Sequence, residues 1–373
     1  SLDRGARPNA RPSRLAGAAS GGVCEGGNPT PPQGAPMSDT AVRTVLEPED
    51  EYPHEPDPVP NYNESMYLNA FDLEREVGGW FRIGNRVNEG YAEVSVCVYL
   101  PSGRVGFLYA RPSIDTNEKM EAAGLSIEVV TPFEHLEVRF DGKICVLDEP
   151  GQMANPRQAF TDNPWVECTA ALTFRGVSPM YGGRPVAEDG SDLALDAEKS
   201  FSKAHYEQHC AVTGTIQVGD EVLEIDGLGL RDKSWGPRYW QALSWYRWLP
   251  MVFDEDFAMM ISVIGGHVTG MVLEGDEYHL IRSGSVESDW DDDGYQTAIR
   301  AHVETDTGAY DVTGEVISLI PLRNRRTTPD GDELHTRITE AMTRFRCGDK
   351  VGIGMSEYLD QIVDGRPVGS DVH

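Results

Sequence analysis

The sequence has little positive charge and no long apolar run. Its 32 Lys and Arg residues face 61 Asp and Glu residues, which leaves a formal net charge of −29. Because nucleic acids and anionic lipid surfaces are bound through cationic patches, we expect neither as a partner. No run approaches the roughly 18 apolar residues of a membrane span, and no signal segment is recognisable near the N-terminus. We therefore predict a soluble, cytoplasmic protein without a membrane span.

Common catalytic motifs are absent as well. The six cysteines are widely spaced and form no Cys-x-x-Cys pair. This argues against a zinc knuckle or a dithiol redox site and is typical of a reducing compartment. There is no P-loop and no Gly-x-Ser-x-Gly elbow, and the glycine clusters do not lead from a strand into a helix. Nucleotide hydrolases and α/β-hydrolases are thereby excluded, and we expect no cofactor.

What the sequence does contain is a repeated strand pattern. Tyr91–Leu100 alternates in character, and Asp141-Gly142 and Gly219-Asp220 are turn dipeptides typical of β-hairpins. Long amphipathic helices are not apparent, although short helical turns are expected near residues 115–123 and 156–160. Strands at short, regular spacing indicate an all-β protein built from barrels or sandwiches.

The length of 373 residues suits two domains. We predict that residues 1–60 are a disordered leader followed by an acidic, proline-rich linker. Because prolines interrupt residues 47–60, this linker is expected to form no helix and to lie extended along the surface. The N-terminal β domain is then expected at residues 61–226 and the C-terminal β domain at residues 227–373.

Functional side chains are concentrated in the middle of the chain. Asp226–Trp240 combines five charged side chains, three large aromatic groups, three glycines and a proline, and we interpret it as a turn at the junction of the two domains. Shortly before it, His205, Glu207 and His209 occupy alternate positions, so a strand would place all three on one face. We predict that the two stretches form one site.

Several interpretations of these residues remain open. The face with His205, Glu207 and His209 is either solvated, or an acid/base and substrate-binding surface, or a metal site. Asp232 is either an ionised base or anchor, because cationic residues flank it, or a buried acid. Trp235 and Trp240, with Trp245 and Trp248 close behind, either line a ligand site or pack a turn. Glu357 could reach a cavity from the last predicted strand, although we favour a structural role.

The sequence Asp232-Lys233-Ser234-Trp235-Gly236 resembles the Asp-x-x-Trp-Gly signature of the two-domain lipocalin-like group that includes AttH proteins and carotenoid 1,2-hydratases (hydroxyneurosporene synthases). It is closer still to an uncharacterised bacterial branch with Gly-x-Arg-Asp-x-Ser-Trp-Gly-x-Arg, here Gly229–Arg238. His205-Tyr206-Glu207-Gln208 also resembles that branch, in which His is common where Lys233 stands here. The resemblance implies two lipocalin-like (calycin-like) antiparallel β-barrel or sandwich domains packed together, with the signature at their junction. It also implies kinship with hydratases that need no cofactor.

Our leading hypothesis is a cofactor-independent hydratase, dehydratase or isomerase. It would act by acid/base chemistry on a hydrophobic terpenoid-, steroid- or lipid-like molecule held between two β domains. We predict Asp232, His205 and Glu207 as catalytic residues and no metal. The predicted substrate-binding residues are Arg231, Trp235, Arg238, Tyr239, Trp240 and His209. The alternatives are a non-catalytic binder of hydrophobic small molecules and a metal-dependent enzyme that uses His205, Glu207 and His209. A homodimer is left open.

Overall fold

The computed structural model describes residues 43–193, 201–240, 243–327, 331 and 333–371. The disordered leader that we predict at the start of the chain falls on residues that lie outside the described ones. The first half of the chain forms the strands Arg43–Val45 (β1), Tyr62–Asp72 (β2), Val77–Arg86 (β3), Tyr91–Tyr99 (β4), Val105–Ala110 (β5), Glu121–Ala122 (β6), Leu125–Thr131 (β7), His135–Leu147 (β8), Trp165–Gly176 (β9), Tyr181–Val186 (β10), Ala204–Val218 (β11) and Glu221–Pro237 (β12).

The second half forms Trp245–Asp254 (β13), Phe257–Ile264 (β14), His267–Glu274 (β15), Glu277–Leu280 (β16), Ser283–Trp290 (β17), Gln296–Glu304 (β18), Ala309–Thr327 (β19), Glu333–Cys347 (β20), Lys350–Val363 (β21) and Arg366–Pro367 (β22). One short α-helix, Pro156–Asp162 (α1), confirms the helical turn expected near residues 156–160. Residues 115–123 contain bends, turn residues and β6 instead. No helix in the described part of the chain is long and apolar enough to cross a membrane.

The first twelve strands form one antiparallel sheet that closes on itself. Each strand in the order β11, β12, β2, β3, β4, β5, β8 and β9 pairs with the next, and β9 returns to β11. Alternate side chains, such as Leu68, Phe81 and Val96, fill the interior of this barrel. The two-residue side-chain period of each strand therefore produces one apolar interior and one outer face.

The remaining strands form a ten-stranded sheet in the order β16, β15, β14, β13, β21, β20, β19, β18 and β17, with β22 beside β21. Leu249, Ile261 and Phe345 belong to its own core. A separate apolar cluster is shared by the two halves and includes Trp80 and Phe107 from the barrel and Met355 from the second sheet. The predicted fold class, two packed antiparallel β domains, is confirmed.

The central stretch is a strand, not the turn that we expected. β12 continues from Glu221 to Pro237 within the first sheet, so the boundary predicted after residue 226 falls inside a strand. The glycines of this stretch serve close packing, since a Cβ atom on Gly229 would lie 1.9 Å from the carbonyl oxygen of Asn69 on β2. The change from one sheet to the other comes between Pro237 and Trp245.

The acidic segment before β2 also differs from our expectation. Pro48–Glu51 forms a short 3-10 helix, and the side chain of Glu51 is fully buried instead of lying on the surface. Its carboxylate contacts the guanidinium of Arg231, with Nη1 2.6 Å from Oε2. An acidic segment can be buried in this way because the interior of the barrel supplies the matching cation.

Candidate active site

A cavity of about 760 Å³ lies between the barrel and the second sheet. Its apolar lining comes from both domains and from helix α1, with Trp80, Phe107, Phe160, Leu322 and Ile338 among its residues. The volume lies within the range of about 300 to 1,000 Å³ that is typical of small-molecule sites. The site therefore has room for a sizeable apolar molecule.

The pairing of β11 with β12 brings the three predicted catalytic residues together. Glu207 lies opposite Asp232 in the register, and His205 lies opposite Ser234. The imidazole Nε2 of His205 contacts Oδ2 of Asp232 and lies 3.7 Å from Oε1 of Glu207. The indole Nε1 of Trp248, on β13, donates a hydrogen bond of 2.6 Å to the same Glu207 oxygen. His205 and Asp232 line the cavity, and Glu207 is fully buried beside them.

The charges of this cluster depend on one another. Burial disfavours the charged imidazole of His205, but the Asp232 carboxylate, together with Glu207, outweighs it and raises the pKa of His205 to about 9. Burial raises the pKa of Glu207, although the neighbouring His205 opposes this shift. At neutral pH His205 is therefore protonated and held beside Asp232, and Glu207 can exchange a proton within the pH range of most enzymes.

Among the residues that the structure describes, the same cluster is the set that could hold a metal ion. One ligand atom from each of His205, Glu207 and Asp232 lies within 4.8 Å of the others. The metal set that we considered from the sequence differs, because His209 does not join this cluster. Its Nε2 lies 3.2 Å from the carbonyl oxygen of Met259, and its Nδ1 lies 3.3 Å from the Tyr278 hydroxyl. Burial lowers the pKa of His209 to about 4, as suits a neutral packing residue.

Two arginines form a cationic part of the cavity lining. Arg238, a predicted binding residue, donates from Nη2 to Ser234 Oγ at 2.6 Å. Its guanidinium lies 5.3 Å from the centre of the Trp240 ring, which also lines the cavity. Arg82 lies 5.7 Å from the same ring and was missed by the sequence analysis. Burial and then the nearby Arg82 lower the pKa of Arg238 to about 10.

Three other predicted binding residues do not line the cavity. Arg231 and Trp235 project from the opposite face of β12, because they alternate with Asp232 and Ser234 along the strand. Arg231 Nε donates to Gln208 Oε1 at 2.8 Å, and the Trp235 ring stacks on His54 with centres 4.1 Å apart. Tyr239, just beyond β12, lies outside the set of residues that line the cavity. We therefore assign no substrate contact to these three.

The second sheet contributes two acidic residues to the cavity wall. Glu340 on β20 and Glu357 on β21 are directly paired in the register, and both line the cavity. The Tyr246 hydroxyl donates a hydrogen bond to Glu357. Glu340 was missed, although its position between the apolar Ile338 and Met342 on the same face of β20 is a detectable signal. Glu357 reaches the cavity, which is the alternative that we left open beside a structural role.

These features define the class: a two-domain β protein with an aromatic cavity and an acid/base cluster at the domain contact. Residues 47–362 match the family described as a domain of unknown function, DUF7064, and the chain belongs to that family. No curated protein matches the sequence.

Several solved structures are similar to this chain. A protein of Nitrosomonas europaea with the provisional name AttH is 14% identical, with a TM-score of 0.51 over 85% of this chain and 96% of that chain. Kievitone hydratase from Nectria haematococca is 9% identical, with a TM-score of 0.47 over 80% and 89%. CghA is 12% identical, with a TM-score of 0.44 over 80% and 88%. The AttH likeness supports the predicted two-domain fold, and membership of the bacterial branch stays a prediction.

Proposed function

We propose that the protein is an enzyme that adds, removes or relocates water or a proton on an apolar small molecule by acid/base chemistry without a cofactor. The observation that carries this proposal is the contact of His205 with Asp232 at the wall of a largely apolar cavity. Burial there strengthens the interaction of a charged group with a developing charge on the substrate. Asp232 acts as the base or anchor, and His205 and Glu207 carry and return the proton.

The lining supports a substrate with an apolar body and one polar end. Trp80, Phe107 and Phe160 offer aromatic surfaces to a terpenoid-, steroid- or lipid-like skeleton. Arg82 and Arg238 offer cationic groups to the polar end. One buried nitrogen on each arginine, Nη2 of Arg82 and Nε of Arg238, has no hydrogen-bond partner among the described residues. Because buried polar groups in native proteins are nearly always paired, a bound molecule is a natural partner for them.

The proposal is tested by isotope incorporation. Panels of unsaturated and hydroxylated terpenoids, steroids and fatty acids are incubated with the protein in ¹⁸O-labelled water and in D₂O, and mass spectrometry follows the label. We expect one chemical class to gain label, and Asp232→Asn to slow this by about 100-fold or more, as is usual for loss of acid/base catalysis. Asp226→Asn, an exposed change on the same strand, is the matched control. An Asp232→Asn variant that keeps the wild-type rate would refute the assignment.

The aromatic lining also fits a second function, the binding of hydrophobic molecules without chemical change. Tryptophan fluorescence that is quenched by a ligand recovered with unchanged mass and no isotope label supports this function instead.

A third candidate is metal-assisted chemistry, which the mutual approach of His205, Glu207 and Asp232 favours. Elemental analysis of protein purified without chelators tests it: stoichiometric zinc or iron that is lost in Asp232→Asn supports a metal site, and metal-free active protein removes it.

A further inference from the structure

A pair of glutamates on the second sheet lines the same cavity as His205 and Asp232. Glu340 and Glu357 are direct partners on the antiparallel strands β20 and β21. Such partners have Cβ atoms only about 5 Å apart, so their carboxyl groups are close neighbours. Glu340 is 5% exposed, and both residues line the cavity.

The surroundings do not neutralise two negative charges at this place. None of the ion pairs between described residues includes Glu340 or Glu357, and the buried Oε2 of Glu340 has no hydrogen-bond partner among them. Arg82 on β3 faces the pair but makes its own closest acidic contact with Glu93, at 3.6 Å. Tyr246 on β13 donates to Glu357, Tyr67 on β2 faces Glu340, and the nearby Asp232 adds a further negative charge.

Two adjacent carboxyl groups that form no ion pair with a cation are held together by keeping a proton. Two carboxylates would repel each other, whereas one acid and one carboxylate can share a hydrogen bond. Burial, followed by the charge of Glu357, raises the pKa of Glu340 well above its ordinary range. Burial also raises the pKa of Glu357.

We propose that Glu340 and Glu357 share one proton at neutral pH and form the proton donor of the cavity. The shared proton is a property of the pair itself, whereas its use in catalysis rests on the proposed function. In a hydration, the pair gives its proton to an alkene carbon of the substrate, and a new C–H bond forms. Water then adds to the carbocation and loses a proton to the cluster of Asp232, Glu207 and His205. Exchange with solvent returns a proton to the glutamates and removes one from the cluster.

The proposal is tested with dicyclohexylcarbodiimide, an apolar reagent that reacts with protonated carboxyl groups. The acid proton moves to a nitrogen of the reagent as the carboxyl oxygen adds to its central carbon, and acyl transfer leaves a stable N-acylurea. At pH 7 we expect peptide mapping to find one added reagent at Glu340 or Glu357. Glu340→Gln removes the carboxyl group that shares the proton and should reduce labelling of that peptide by about tenfold or more, because a lone carboxyl group keeps its proton less firmly than one beside a second carboxylate.

Glu315→Gln is the control, because Glu315 lies on the neighbouring strand β19 but is exposed and paired with Arg344. Labelling of the pair should be unchanged in that variant. An unlabelled pair in the folded wild type, or equal labelling in Glu340→Gln, would overturn the proposal. Labelling without any isotope incorporation keeps the shared proton but refutes the enzyme assignment. Isotope incorporation into a substrate without carbodiimide labelling of the pair would support the enzyme assignment but show that another group is the acid.

A second measurement does not depend on the reagent. A group with a raised pKa in the folded state contributes stability that is present below its unfolded pKa and lost as pH rises through the folded value. Wild-type protein should therefore lose stability towards alkaline pH more steeply than Glu340→Gln, as followed by thermal unfolding from pH 6 to pH 10. Parallel curves for the two proteins contradict the shared proton.

Discussion

His205 and His209 are on the same face of one strand, yet their surroundings drive their charges in opposite directions. The Asp232 carboxylate holds the pKa of His205 at about 9 despite burial. His209 meets only a backbone carbonyl and a tyrosine hydroxyl, so burial lowers its pKa to about 4. A difference of four positions along β11 therefore separates a reactive imidazolium from a neutral packing group.

His209 should make the fold sensitive to acid. Its folded-state pKa of about 4 lies below the ordinary value of 6.5, so its stabilising effect is present above pH 6.5 and is lost as pH falls towards 4. The shift corresponds to about 3 kcal/mol at 1.36 kcal/mol per unit. We expect His209→Gln to flatten the urea-unfolding stability curve between pH 6.5 and pH 4. His267→Gln, at an exposed position of β15, is the control and should keep the wild-type dependence of stability on pH. The same wild-type dependence in His209→Gln would contradict the prediction that His209 makes the fold sensitive to acid.

Strand alternation explains which residues were predictable. The sequence placed His205 near Asp232 because their two stretches were treated as one site, and the register of β11 and β12 brings them together. Arg231 and Trp235 were assigned to the same site because the stretch was interpreted as a turn, in which all side chains can converge. In a strand, residues next to Asp232 point away from it. The same rule, applied to Ile338, Glu340 and Met342, would have indicated a buried acid.

Among the structural elements, the segment from Pro48 to Glu64 closes one end of the barrel with buried charges. Glu51 pairs with Arg231, and Glu64 pairs with Lys233, whose Nζ lies 2.8 Å from Oε1. Lys233 also donates to the backbone carbonyl of Tyr52 at 2.7 Å. Burial lowers the pKa of Lys233, with Glu64 opposing the shift. Arg231 and Lys233 on β12 therefore stabilise the barrel. Asp232, the carboxylate between them in the sequence, faces the cavity.

Removing one member of such a pair should be costly. Glu51→Gln leaves the Arg231 guanidinium buried without its carboxylate, and breaking a buried ion pair in this way costs about 3 to 5 kcal/mol. We expect this loss in chemical denaturation, measured as a lower midpoint. Glu49→Gln, an exposed change in the same 3-10 helix, is the matched control and should change stability little. Equal denaturation midpoints for Glu51→Gln and Glu49→Gln would show that this segment does not stabilise the barrel.

The sequence could not reveal this segment. Its acidic residues and prolines are those of a solvated linker, and the burial of Glu51 depends on Arg231, which lies 180 positions further along the chain. Pairings over such distances leave no local periodic signal. The hairpin turns and alternating strands, by contrast, are local features, and for that reason the all-β architecture was predictable.

At the scale of the whole molecule, the cavity exists because two β domains pack without filling the space between their faces. The Tyr99 hydroxyl, on the barrel, donates to the backbone carbonyl of Glu340, on the second sheet, at 3.0 Å. The shared apolar cluster continues from that contact to Ile320 and Met342. Bound molecules would contact the barrel at Trp80 and the second sheet at Leu322. Ligand binding should therefore stabilise both domains.

An apolar ligand should therefore protect both walls of the cavity at once. With Nile red, a neutral apolar dye, we expect hydrogen–deuterium exchange to slow in β3 and in β20. The slowing should depend on the dye concentration in the same way in both strands. At a dye concentration of 100 times Kd the fold should gain about 2.7 kcal/mol, because the dye binds the folded state only. Trp80→Ala removes one aromatic wall and should weaken binding, whereas Val222→Ser, at a position 55% exposed, should not. Protection confined to one sheet would mean that the dye binds an outer surface, and the cavity would then not be the place where this protein holds its substrate.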